Sequence, residues 1–273
     1  MAGLNPAMPV TIPLITLLTD FGDRDYFVAS LKGVILNINP QAQIVDLTHH
    51  VTPHDVADAA YLLKSCYRYF PEGTIHVAVV DPGVGTTRRP LLVSSSRYHF
   101  LGPDNGILTY VCEEEHGVEV RHIENRQYRL DSDGATFDGR DLFAPAAAWL
   151  TKGQPLGSFG RLVPNYERLP LGDPGWEQHV LAGEITYIDR FGNLISNLTS
   201  YHIREVRGVS KRSEPLIRLG GVTIDGLVRS YAEGSTDTPH ALINSNGYLE
   251  VFLKEGRASD RLHLSRGARI ELG

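Results

Sequence analysis

The segment Val77–Pro90, VAVVDPGVGTTRRP, constrains this chain most. An apolar run rich in β-branched residues stops at Asp81. A Pro-Gly turn follows, then a Gly-x-Gly loop and two arginines. The run reads as a buried strand. In an open α/β sheet, ligands bind outside the carboxyl ends of the strands. Asp81 is expected there, with Arg88 on the loop beyond it. An acid and a guanidinium on one loop at a pocket mouth can hold a polar reactant. A second turn signal, GPDNG at Gly102–Gly106, comes shortly after.

The surrounding pattern supports such a sheet. Pro13 to Leu18 is an apolar run ending at Thr19-Asp20-Phe21-Gly22. Asp25 to Asn39 has helical spacing, and Pro40 stops it. Gln43 to Leu47 is a second strand. Thr52-Pro53-His54-Asp55 reads as an N-cap, a proline at the first helical position and an acid at the third. Thr74 to Val80 is the third strand, with Leu91–Ser95 and His99–Leu101 as a further pair. Asp141 to Leu150 is a short alanine-rich helix. Strand–helix–strand–helix–strand predicts a largely parallel sheet with right-handed crossovers.

The character changes after about Asn165, where Pro164, Pro170, Gly172, Pro174 and Gly175 interrupt any helical period. Short β-like runs follow at Glu184–Ile188, Leu216–Leu219, Val222–Ile224, Ala241–Ile243, Tyr248–Leu253, Arg261–Leu264 and Arg269–Leu272. The expected organisation is an α/β N-terminal domain over 13–166, a linker over 167–180 and a smaller antiparallel, barrel-like β domain over 181–273.

Length and charge narrow the classes of function. At 273 residues and a net charge of −6, the chain has no electrostatic footprint for nucleic acid or an anionic membrane. No segment approaches the ~18 unbroken apolar residues of a membrane span, and the start, MAGLNPAMPVTIP, lacks a basic leader. Cys66 and Cys112 form no CxxC and read as core thiols of a cytoplasmic protein. The sequon Asn197-Leu198-Thr199 is idle in that compartment.

Asp20, Asp46 and Asp81 each end an expected parallel strand. One such acid is turn chemistry, and that reading is preferred for Asp46. Three on one sheet edge suit ribose hydroxyls, a cationic ligand or a metal, and spacing alone does not separate these. The Gly83-x-Gly85 loop lacks the third glycine of a dinucleotide fingerprint, and no Walker lysine follows. Asp20-Phe21-Gly22 lacks the other kinase motifs. The histidines show no metal-binding spacing, and adjacent His49 and His50 point apart on a strand end, so no zinc site is expected. Asp189-Arg190-Phe191-Gly192-Asn193 and Asn244-Ser245-Asn246-Gly247-Tyr248 flank later strands. Either is a turn. Together they offer a flat aromatic, an amide and a hydroxyl, which suit a purine or an amino-acid head group.

In their order these segments resemble the S-adenosylmethionine-dependent family of hydroxide adenosyltransferases and fluorinating and chlorinating enzymes. The matching stretches are TDFGDRDYFVASLKGVI, IVDLTHHVTPHDVADAA, FPEGTIHVAVVDPGVGTTRRP, GPDNG, TFDGRDLFAPAAA, IDRFGN and NSNGYLEV, from Leu14 to Val251. The resemblance implies a homotrimer with the ligand between the N-domain of one subunit and the C-domain of the next. It implies a small-molecule substrate, no cofactor and no metal. Asp20 matches the ribose-binding acid, and Asp25 an acid near the methionine end. Asp189 and Ser245 match residues holding the amino-acid portion. Asn193 matches the reader of the adenine edge, with Phe191 and Tyr231 as its walls. Glu250 and Leu253 fall where the last strands offer contacts.

The resemblance also places the chain on a branch. Halogenating members carry tyrosine where this chain has Asp81. Hydroxide-using members carry aspartate there with an arginine seven residues on, which is Arg88. They carry histidine in the TFxGRD motif, where this chain has Asp138. His54 stands where an aromatic wall is usual. The expected activity is hydrolysis of S-adenosyl-L-methionine to adenosine and L-methionine, with Asp81, Arg88 and Asp138 as catalytic residues. Non-catalytic ligand binding, a halide-using reaction and a metal-dependent hydrolase on Asp20, Asp46 and Asp81 are the alternatives.

Overall fold

A computed structural model of the chain describes residues 13–210, 212 and 214–273; the stretch 1–12, on which the expectation about a leader falls, lies outside them. The chain divides into two compact units between Leu169 and Pro170.

The first unit runs β1 (Leu14–Thr19), α1 (Phe27–Ile38), β2 (Gln43–Thr48), α2 (Val56–Cys66), β3 (Ile75–Val79), β4 (Pro90–Ser94), β5 (His99–Pro103), α3 (Thr109–Glu114), β6 (Glu119–His122) and α4 (Ala144–Thr151). The sheet order is β2-β1-β3-β5-β4-β6. The pairs β1–β2, β1–β3 and β3–β5 are parallel, and β4 is antiparallel to both neighbours. Strand alternation sends Ile75, Val77 and Val79 into a core with Leu31, Ile35 and the α4 alanines. Ala78 and Val80 face the opposite core with Ala59, Leu63 and Tyr67. Helices cover both faces of the sheet, which is why β3 is buried at every position.

Two local expectations are corrected. The second helix is capped by Asp55, whose carboxylate accepts from Asp58 N–H at 3.0 Å, and not by Thr52. His54 sits at φ +66°, outside helical space, so no helix can run through it. The alanine-rich helix is preceded by a π turn at Gly139–Phe143. Pro145 has no N–H to give the Asp141 carbonyl, and Leu130 N–H donates to it instead at 2.8 Å.

The second unit comprises β7 (Gly175–Glu177), β8 (Val180–Ile188), β9 (Leu194–Thr199), α5 (Ser200–Val209), β10 (Leu216–Leu219), β11 (Val222–Asp225), β12 (His240–Ile243), β13 (Tyr248–Phe252), α6 (Ala258–Leu262) and β14 (Arg269–Leu272). Its sheet, β11-β10-β14-β8-β9-β13-β12 with β7 on β8, is antiparallel and nearly barrel-shaped. Part of the expected linker over 167–180 is therefore strand, turned onto β8 through Gln178 at φ +54°. The expected strand at Arg261–Leu264 is the end of α6. Ala258 and Ser259 are buried there, and His263 stops the helix in the left-handed region.

Candidate active site

Thr19 and Val79 are register partners on the parallel pair β1–β3. Asp20 and Asp81 therefore leave the sheet side by side, just beyond its carboxyl edge. The Asn105 amide donates to Val80 O at 2.9 Å and pins the chain as it enters Asp81. A cavity of about 330 Å³ opens here, lined among others by Asp20, His54, Asp81, Val84, Phe137 and Asp138. His54 N–H donates to Asp20 Oδ2 at 2.9 Å, so the strained residue is held by the acid itself.

The loop after Asp81 folds back on itself. Val84 N–H donates to Asp81 O, Thr86 N–H to Gly83 O, and the Thr86 hydroxyl to the same Gly83 carbonyl at 2.6 Å. These turns return Arg88 to the acid that began the loop. Arg88 Nε donates to Asp81 Oδ1 at 2.7 Å, and its Nη2 pairs with Asp81 Oδ2. The same Nη2 donates to Asp138 Oδ2 at 2.6 Å. Gly85, at φ +81°, lies so close to the Ala135 carbonyl that a Cβ would come within 3.2 Å. That close approach docks the 135–138 segment on the loop and delivers Asp138.

The side chains of Asp81, Arg88 and Asp138 are 6%, 9% and 14% exposed. Burial pushes the Asp81 carboxyl above its ordinary range, and the Asp138 charge adds to this against the pull of Arg88. Burial works against the Arg88 charge, but its bonds to both carboxylates more than offset that and hold its pKa above the usual value. The site thus joins a fixed guanidinium to a carboxylate with enhanced basicity. Such a pair can orient a water and accept its proton.

Not every candidate acid joins the cavity. Asp25 is exposed ahead of α1 and does not line it. Asp46 lies inside β2, opposite Leu17, and not at the strand end. It is held by Lys32 Nζ at 2.6 Å and by His49 Nε2 at 3.1 Å. The three-acid metal constellation is therefore not assembled, and no cluster of metal-ligating side chains occurs among the described residues. Asp104 of GPDNG is structural: it accepts from Arg89 Nε at 2.7 Å and from Glu167 N–H at 2.7 Å.

The second unit carries its own cavity, of about 680 Å³, lined by Asp189, Phe191, Asn193, Tyr231, Leu253 and neighbours. Asp189 organises the β8–β9 turn. Its Oδ1 accepts from the N–H groups of Phe191 and Asn193 at 2.9 and 2.8 Å, and its Oδ2 from the Asn193 amide at 2.9 Å. The turn presents Phe191, which is exposed, at the rim. Tyr231 packs edge-on against Phe252, with ring centroids 4.9 Å apart. Its hydroxyl donates to Glu250 Oε1 at 2.6 Å, and the Asn244 amide donates to Glu250 Oε2 at 3.1 Å. Glu250 is buried and is not among the lining residues. Ser245 sits exposed in the β12–β13 turn and is not among the lining residues.

Sequence reasoning missed Arg129, which approaches Asp138 Oδ1 at 3.6 Å, and Arg257, which lines the second cavity and donates to Arg190 O at 2.7 Å. Neither belongs to a motif. Each arrives through tertiary folding of a loop.

Residues 15–160 match the SAM hydroxide adenosyltransferase N-terminal domain, and residues 183–271 match the SAM hydroxide adenosyltransferase C-terminal domain. The chain is similar to a protein named (R)-S-adenosyl-L-methionine hydrolase from Salinispora tropica, 34% identical over 265 residues, covering 95% of this chain and 97% of that one. It is also similar to a fluorinase from an Actinoplanes species, 32% identical over 269 residues, covering 88% and 90%. Among solved structures, an uncharacterized conserved protein from Thermotoga maritima superposes with a TM-score of 0.86 at 35% identity, covering 94% of this chain and 99% of that one.

Proposed function

Because the chain belongs to the SAM hydroxide adenosyltransferase family, we propose that it hydrolyses S-adenosyl-L-methionine to adenosine and L-methionine. Water attacks the ribose C5′ in line with the C–S bond. The C5′–O bond forms, the C5′–S bond breaks, and the sulfonium leaves as a neutral thioether while the water loses a proton. The observation that carries this reading is the Asp81–Arg88 pair at the carboxyl edge of β1 and β3. Orientation of the water by Arg88 and Asp81 supplies several kcal/mol of the barrier. Asp81 takes the proton as general base. Asp138 shares Arg88 and accepts a hydrogen bond from the water.

Asp20 holds ribose hydroxyls, with His54 replacing an aromatic wall. Asp189, Ser245 and Asp25 serve the amino-acid end. Asn193, Phe191 and Tyr231 take the adenine, with contacts from Leu253 and support from Glu250. The reaction needs no metal or cofactor, because its leaving group is already neutral on departure. The active species is a homotrimer in which neighbouring subunits complete each site. The compartment is the cytoplasm, in keeping with Cys66 and Cys112, free thiols whose burial pushes both up to about 11. No helix among the described residues is long and apolar enough to cross a membrane.

The test is chromatography of S-adenosyl-L-methionine incubated with the protein, with and without a chelator and with added chloride or fluoride. Adenosine and methionine in equal amounts, unaffected by chelation, are expected. A 5′-halo-adenosine without adenosine would move the chain to the halide branch, and undiminished substrate would make it a binding protein.

A further inference from the structure

We propose that Arg129 is a positioning residue for this reaction, acting through Asp138; the inference rests on the hydrolase reading above. Asp138 has two oxygens and two guanidinium partners. Oδ2 meets Arg88 Nη2 at 2.6 Å, and Oδ1 faces Arg129 Nη2 at 3.6 Å. Without Arg129, the cluster Asp81–Arg88–Asp138 carries two negative charges and one positive in a largely buried setting. That excess would favour the sulfonium substrate, whose positive charge disappears as the thioether leaves. It would also disfavour hydroxide at the same place. Binding the ground state more tightly than the transition state slows the chemical step. Arg129 returns the cluster to zero charge.

An isolated ion pair on a half-exposed arginine is worth little. Arg129 differs because the chain is fixed on both sides of it. Tyr128 is buried, stacks on Phe159 at 4.3 Å and bonds Ser158 Oγ through its hydroxyl at 2.9 Å. Leu130 N–H donates to the Asp141 carbonyl at 2.8 Å. That carbonyl belongs to the π turn Gly139–Phe143, which Asp138 directly precedes. One hydrogen bond therefore ties the backbone of the arginine to the turn next to its carboxylate. The nearer arginine in sequence, Arg140, is committed elsewhere: Nε and Nη2 grip Asp141 at 2.6 and 2.9 Å, and the guanidinium lies over the Phe137 ring at 5.1 Å. Besides Asp81 and Asp138, the charged and titratable groups lining this cavity are Asp20 and His54.

The test is a double-mutant cycle on adenosine release, with Arg129→Ala, Asp138→Asn and the pair, and Arg129→Lys as the conservative variant. Arg129→Ala should lower kcat about tenfold with KM unchanged or lower. Arg129→Lys should retain kcat within about threefold. In the Asp138→Asn background, Arg129→Ala should change kcat less than about twofold, because a partly exposed arginine with no carboxylate to hold it is screened by water. Losses that multiply in the pair, or a rise in KM at constant kcat, overturn the inference while the hydrolase reading stands. A parent that releases no adenosine removes both.

Discussion

Asp81 and Asp138 meet at one nitrogen, Nη2 of Arg88, which pairs with Oδ2 of each. The two acids come from loops far apart in sequence, and neither has a counter-charge as close as Arg88. The guanidinium separates carboxylates that would otherwise repel, and its fork shape lets it serve both at once.

Arg88→Ala should therefore damage two properties. Loss of the fixed donor should lower kcat by at least about a hundredfold with a smaller change in KM. Two facing carboxylates without their partner should also lower stability by about 3 kcal/mol. Arg88→Lys keeps the charge but cannot bridge both acids, so it should recover stability more than kcat. Steady-state kinetics beside denaturant unfolding separates the two effects. A variant with normal kcat and raised KM would make Arg88 a binding residue only.

Asp138→His should increase kcat near neutral pH. In the parent, burial and the Asp138 charge raise the Asp81 pKa. Its proton-accepting form is lost as pH falls through that raised value, so kcat should climb with pH on the acid side. A neutral histidine removes one negative charge and can itself accept a proton close to pH 7. The acid limb should then follow the histidine, with kcat falling below about pH 6.5 as that group takes up a proton. If the variant is slower than the parent at every pH, the negative charge of Asp138 does not hold the reaction back.

Asp20 and Asp81 were legible because apolar runs stop at each acid, and parallel pairing forces such stops onto one edge. Asp46 interrupts its run in the same way, yet it lies within an edge strand whose polar neighbours Lys32 and His49 absorb it. Periodicity does not distinguish these cases. Arg261-Leu262-His263-Leu264 alternates like a strand, but Ala258 and Ser259 are buried and start a helix there. Arg129 was invisible for another reason: its meeting with Asp138 depends on Pro145, whose missing N–H frees a carbonyl for Leu130.

His76 should make the fold sensitive to acid. It is fully buried on β3, stacks on Phe100 at 5.2 Å and shares a hydrogen bond of 2.7 Å with Thr16. Burial pushes its pKa from 6.5 down to about 3, against the Glu115 charge. Below 6.5 the unfolded chain binds a proton that the native state refuses. Stability from this group is thus fully present above that value and falls as pH drops toward 3, by at most about 1.4 kcal/mol per pH unit. His76→Asn keeps a polar partner for Thr16 and does not titrate, so unfolding curves between pH 7 and 4 should show a shallower decline. An unchanged slope would assign the acid sensitivity to other groups.

Glu250 should govern substrate affinity through Tyr231, and not the chemical step. Its side chain is buried on β13, and Tyr231 OH and the Asn244 amide occupy one oxygen each. Burial raises its pKa, and the nearby Asp189 charge adds to that against its two hydrogen bonds. In the interval between the unfolded value and the raised native value, the folded protein binds the extra proton. Stability from this group is therefore greatest at low pH and declines as pH rises through that interval. Glu250→Gln keeps an acceptor for the phenol and removes the buried charge, so it should leave KM within about twofold and flatten the decline. Glu250→Ala leaves the Tyr231 hydroxyl and the Asn244 amide without their partner. The Tyr231 ring then loses the bond that fixes it against Phe252 at the cavity wall. KM should rise about tenfold at nearly constant kcat, because the lost contact serves substrate and transition state equally. Calorimetric titration of S-adenosyl-L-methionine beside single-turnover rates checks the split. A fall in the single-turnover rate with unchanged affinity would place Glu250 in the chemistry and refute this role.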